Sequence, residues 1–86
     1  MPEICRFYGI IIKMFFNEHN PPHFHAEYGD EQVLINIRTL AIFSGGIPPR
    51  ALGLVMEWAA QHREELLSIW EDARQQHELR RLNPLP

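Results

Sequence analysis

Two histidines and a glutamate at every second position, His23, His25 and Glu27, end the segment His19-Asn20-Pro21-Pro22-His23-Phe24-His25-Ala26-Glu27. On a β-strand alternate side chains point to one face, so these three share a side, with roughly 7 Å between neighbouring backbone positions. Two imidazoles at that spacing can divide the roles of general acid and base, because histidine titrates near neutrality. Glu27 would then orient a ring or stabilise its charged form. The same face, extended by His19, offers imidazole and carboxylate ligands suited to zinc, iron, nickel or copper. No cysteine pair joins it, so the first expectation is a site without cofactor, and a metal ion on His19, His23, His25 and Glu27 is the alternative. A third reading carries no chemistry: polar residues on a wet hairpin face, bonded to Asn36, Gln32 or water.

Positive charge near such a face would favour an anionic or phosphate-bearing substrate. Arg6, Lys13 and Arg38 lie in the same half of the chain; Arg6, Asn20, Asn36 and Arg38 are taken as candidate substrate contacts. Tyr8 and Tyr28 offer hydroxyls or core-edge packing. Trp58 and Trp70 fall among apolar helical positions and read as core or interface anchors, and the lone Cys5 as a small buried residue.

The elements that must position these residues divide at Ser44-Gly45-Gly46-Ile47-Pro48-Pro49. Upstream, β-branched and aromatic residues between frequent turn signals predict strands: Ile4–Tyr8 and Ile10–Phe16 about Gly9, then His23–Tyr28 and Gln32–Arg38 about Gly29-Asp30, with Leu40–Phe43 as a further short strand. Asn17–Pro22, with two prolines, predicts a loop or extended entry. Taking Gly29-Asp30 as a two-residue turn sets Ala26 opposite Val33 and Phe24 opposite Ile35. The other face then pairs Glu27 with Gln32, His25 with Leu34 and His23 with Asn36. A slip of one residue would destroy that agreement.

Downstream, Arg50–His77 is rich in helix formers, with apolar residues at Leu52, Val55, Met56 and Ala59 and again at Leu66, Leu67, Trp70 and Ala73. As a single helix it would run about 42 Å, too long for a domain of this size, so a break is expected near Gln61 or His62. His62 and His77 read as exposed. The prediction is α+β: a small antiparallel sheet of about four to five N-terminal strands covered by one bent or two C-terminal helices. Residues 1–86 form one domain, divided into strands (1–43), helices (49–77) and an extended tail (78–86).

The chain has 86 residues and a net charge of −3, which argues against passive binding to nucleic acid by its phosphates. A single cysteine fits a reducing compartment. The absence of a leader pattern or a long apolar run predicts a cytoplasmic protein with no membrane association. A core this small makes help from a partner plausible, whether a second copy in a homodimer or another small protein.

Arg6-Phe7-Tyr8-Gly9-Ile10 and Phe16-Asn17-Glu18-His19-Asn20-Pro21-Pro22-His23-Phe24-His25-Ala26-Glu27-Tyr28-Gly29 resemble a small bacterial family of domains of unknown function. Glu57-Trp58-Ala59-Ala60 and Glu65-Leu66-Leu67-Ser68-Ile69-Trp70 fit the same family. The resemblance implies the toxin component of a type II toxin–antitoxin pair, with a cognate antitoxin as partner and growth inhibition as its effect. Joined to the histidine face, it suggests metal-independent action on RNA or nucleotides. His23 and His25 would serve as acid and base, Arg6 or Arg38 would hold an anion, and Glu27 would orient a ring. The rivals are a non-catalytic protein-interaction module and a small His-ligated metal protein.

Overall fold

A computed structural model describes residues 3–16 and 18–86. Asn17, in the predicted loop, and the first two residues lie outside them. Five strands, β1 (Glu3–Phe7), β2 (Ile10–Lys13), β3 (His23–Tyr28), β4 (Glu31–Asn36) and β5 (Ile42–Gly46), form one antiparallel sheet in chain order. Two helices follow, α1 (Pro49–Gln61) and α2 (Arg63–Arg74). This is the expected α+β arrangement.

Local sequence accounts for the hairpins. Tyr8 and Gly9 both have positive φ, 48° and 80°, as a two-residue turn of the primed kind requires. Gly29, at φ 60°, supplies the same freedom at the β3–β4 turn. The β3–β4 register agrees with the sequence at all six positions, from His23 opposite Asn36 to Tyr28 opposite Glu31. Alternation then selects the core face: Cys5, Phe7, Ile10, Ile12, Phe24, Ala26, Val33 and Ile35 are buried with Val55, Trp58, Leu66, Ile69 and Trp70 of the helices. Trp58 lies at the centre, its ring 5.6 Å from Phe7 and 6.0 Å from Phe24.

The helix break falls at His62, and the side chain explains it. His62 Nδ1 lies 2.9 Å from the Trp58 carbonyl, the acceptor its own N–H would take in a continuous α-helix. That N–H turns instead to Ala59 O at 3.1 Å. A side chain has replaced the backbone at one rung, and the helix ends. The His62 ring also stacks on Trp58 at 5.0 Å, so the residue is largely covered, contrary to the exposed position expected from the sequence.

Several boundaries differ from expectation: β2 ends at Lys13 rather than Phe16, β4 at Asn36 rather than Arg38, and α2 at Arg74 rather than His77. The last strand runs through the glycine pair instead of stopping before it. Gly45 has φ 73°, and a Cβ there would collide with the Gln32 carbonyl oxygen, so glycine permits the close approach of β5 to β4. The tail has no regular secondary structure, yet it is part of the core. Leu82 and Leu85 are buried, Leu82 N–H donates to Ile4 O at 2.8 Å, and the Trp58 indole N–H donates to Asn83 O at 2.8 Å. Arg81 reaches Glu3 on β1, and Tyr8 donates to the Pro86 carbonyl. One sheet edge is therefore covered by the tail, whereas β5 at the other is exposed throughout.

Candidate functional site

Strand parity puts Lys13, His23, His25 and Glu27 on the sheet face opposite the core, but the structure assembles them differently from the strand argument. Lys13 lies across from His25 on β2. Its Nζ is 3.0 Å from Glu27 Oε2, which pairs Glu27 away from the histidines. The carboxylate that does join them is Glu18, from the loop between β2 and β3. Its Oε1 lies 2.7 Å from His25 Nε2 and 3.4 Å from His23 Nε2. Glu18, His23 and His25 each offer one ligand atom, all within 4.8 Å of one another.

The chain path makes this meeting possible. Met14 is fully buried and anchors the loop as it leaves β2, and Pro22 O accepts the Ile37 N–H at 2.9 Å where the loop enters β3. Between them the Asn20–Pro21 bond is cis. His23 Nδ1 lies 2.9 Å from the Pro21 carbonyl, which can only accept, so Nδ1 carries the proton and Nε2 faces Glu18. Rings enclose both imidazoles: Phe15 stands edge-on to His25 at 4.6 Å, Phe43 stacks on His23 at 5.0 Å, and Trp70 of α2 lies 5.2 Å from His23. The His23 side chain is 5% exposed and His25 12%, so neither is the wet hairpin residue of the third expectation.

Glu18 is 31% exposed and forms the solvent side of the cluster. Burial pushes its carboxyl up, but the hydrogen bond from His25 and the charges of His25 and His23 together outweigh it and hold Glu18 below the ordinary value. Two buried polar atoms on these enclosed rings, His25 Nδ1 and Trp70 Nε1, have no hydrogen-bond partner among the described residues.

The other candidates sit apart or have local work. His19 and Asn20 are exposed in the loop, and His19 is outside the cluster. Arg6 is paired with Glu3 at 2.7 Å on β1. Asn36 Oδ1 accepts the N–H groups of Arg38 and Thr39, holding the turn after β4. Arg38 is exposed in that turn, just beyond the residue facing His23. Glu18 escaped the sequence reading because the period-two rule works along a strand and says nothing about a loop; a carboxylate in the break just before the histidine pair was the available signal.

Residues 9–71 match the family described as a domain of unknown function (DUF4160). The chain belongs to that family. No curated protein and no solved structure matches it. The matched span contains β2 through most of α2, and with them Glu18, His23, His25, Phe43 and Trp70. No described helix is long and apolar enough to cross a membrane.

Proposed function

We propose that the protein is the growth-inhibiting member of a two-protein toxin–antitoxin module and acts on RNA or a nucleotide through Glu18, His23 and His25. The observation that carries this reading is the convergence of both imidazole Nε2 atoms on one carboxylate oxygen, 2.7 and 3.4 Å away, within a shell of aromatic rings. Charged and titratable groups are costly to cover, and where burial and a specific partner act together on them a working site is the natural explanation. Glu18 takes the orienting role first given to Glu27. Arg38, exposed at the same end of the sheet, would supply the cation for a phosphate. Inducing the protein alone in a bacterial host tests the reading. Growth should stop with the native chain and continue with folded Glu18→Gln or His23→Ala/His25→Ala; equal arrest by all three would place the action elsewhere.

A specific feature favours a second reading, that of a binding module. The β5 edge is exposed along its length, with Ile42 49% and Phe43 48% accessible. Unpaired edge strands bearing apolar side chains are templates for strand addition by another chain, whether an antitoxin or a second copy. Size exclusion with and without the cognate antitoxin separates these cases. Ile42→Lys should abolish whichever complex uses the edge, and a complex that survives it uses another surface.

A further inference from the structure

The hydrogen-bond arrangement around Glu18 leaves one contact unmatched. His23 Nδ1 must carry a proton to donate to the Pro21 carbonyl at 2.9 Å. A neutral His23 ring then presents the lone pair of Nε2 to Glu18 Oε1 at 3.4 Å, an acceptor facing an acceptor. The same oxygen is already bonded to His25 Nε2 at 2.7 Å. A cation among the three atoms would remove the conflict and satisfy all of them together.

We propose that Glu18, His23 and His25 bind one divalent transition-metal ion of the zinc class, through Nε2 of each imidazole and the Glu18 carboxylate. The proposal rests on this cluster being the working centre and adds its cofactor. Metal–ligand bonds of about 2.0–2.2 Å set tetrahedral ligand atoms roughly 3.3–3.6 Å apart, so a cluster contained within 4.8 Å accepts an ion after side-chain shifts of about an ångström. Two imidazoles and a carboxylate suit zinc, iron or cobalt better than magnesium or calcium, which prefer oxygen alone. The His23–Pro21 bond is the outer-shell contact that fixes the tautomer and aim of a metal-bound histidine. His25 joins through Nε2 once its ring proton sits on Nδ1. Three protein ligands leave a fourth position, reached from the exposed side of Glu18, for a water or a substrate oxygen. The centre would carry one net positive charge, suited to a phosphate oxygen.

The test uses the full chain, purified without a histidine tag and stripped of metal, titrated with Co²⁺ and followed by its visible absorption, then challenged with Zn²⁺. One Co²⁺ per chain with a tetrahedral-type spectrum, displaced by Zn²⁺, is the expected result. Glu18→Gln, nearly isosteric and in a part-exposed loop, should weaken binding by more than about 100-fold, the upper end of what loss of an outer-shell partner costs. His19→Ala and Glu27→Gln, outside the cluster, should leave binding unchanged. A folded protein that takes up no Co²⁺, or one whose affinity survives Glu18→Gln, overturns the proposal. Growth arrest that depends on the histidines in a protein binding no metal would refute the cofactor alone. Stoichiometric metal with no growth effect would refute the toxin reading alone.

Discussion

Replacing Gly45 by alanine should destabilise the protein, while the same change at Gly46 should not. Gly45 has φ 73°, and a Cβ there meets the backbone carbonyl oxygen of Gln32, which cannot rotate out of the way. The left-handed backbone costs an L-residue about 1–2 kcal/mol, and forcing extra volume against fixed atoms about 1–3 kcal/mol. Restricting the unfolded chain returns about 0.4–1 kcal/mol. The net loss for Gly45→Ala is therefore about 1–4.6 kcal/mol, limited at the upper end if β5 detaches. At Gly46 nothing lies within 4 Å of an added Cβ and φ is not in the left-handed range, so only the unfolded-state gain remains. Urea unfolding measures both: with a slope near 1 kcal/mol per M for a chain this small, Gly45→Ala should lower the midpoint by about 1–4.6 M and Gly46→Ala should leave it equal or slightly higher. Because Phe43 on the same strand stacks on His23, Gly45→Ala should also speed amide exchange along β5. Equal midpoints for the two variants would refute the close approach of β5 to β4.

Two further outcomes follow from the tail. The guanidinium groups of Arg6 and Arg81 bond Glu3 and lower its carboxyl to about 2, despite a small opposing effect of burial. A lowered folded-state pKa supplies stability above the ordinary value of 4.5 that is lost as pH falls toward 2. The Leu82 amide should therefore lose exchange protection across that window in the native chain; a Glu3→Gln variant that keeps the same acid dependence would exclude this pairing as its source. Trp58→Phe removes the indole donor to Asn83 O and should cost about 1–2 kcal/mol with loosening of residues 82–86, seen as faster exchange at Leu82. Unchanged protection there would mean that Leu82 and Leu85 hold the tail without it.

What the sequence determined by itself was whatever local geometry enforces. The β3–β4 register was readable because a two-residue turn at Gly29-Asp30 and two period-two alternations must agree, and a slip would turn Phe24 and Ala26 out of the core. The helix break was readable because 28 continuous helical residues would span about 42 Å, while the longest dimension of the molecule is 33 Å. Its place and cause, His62 taking the Trp58 carbonyl, depended on a ring settling against a neighbouring turn. The histidine pair was legible, but its carboxylate partner was not. Glu27 shares the strand face with the histidines, but Lys13, opposite His25 on β2, reaches diagonally to pair with it. Glu18 lies in a loop whose path depends on Met14 being buried and on Pro22 bonding Ile37. The tail was likewise opaque, because Leu82 and Leu85 have no period to advertise burial and find their place only beside β1 and Trp58. Periodicity and turn chemistry act over a few residues and are written in order along the chain. Which loop carboxylate reaches which imidazole is decided by distances that exist only after the sheet and helices have packed.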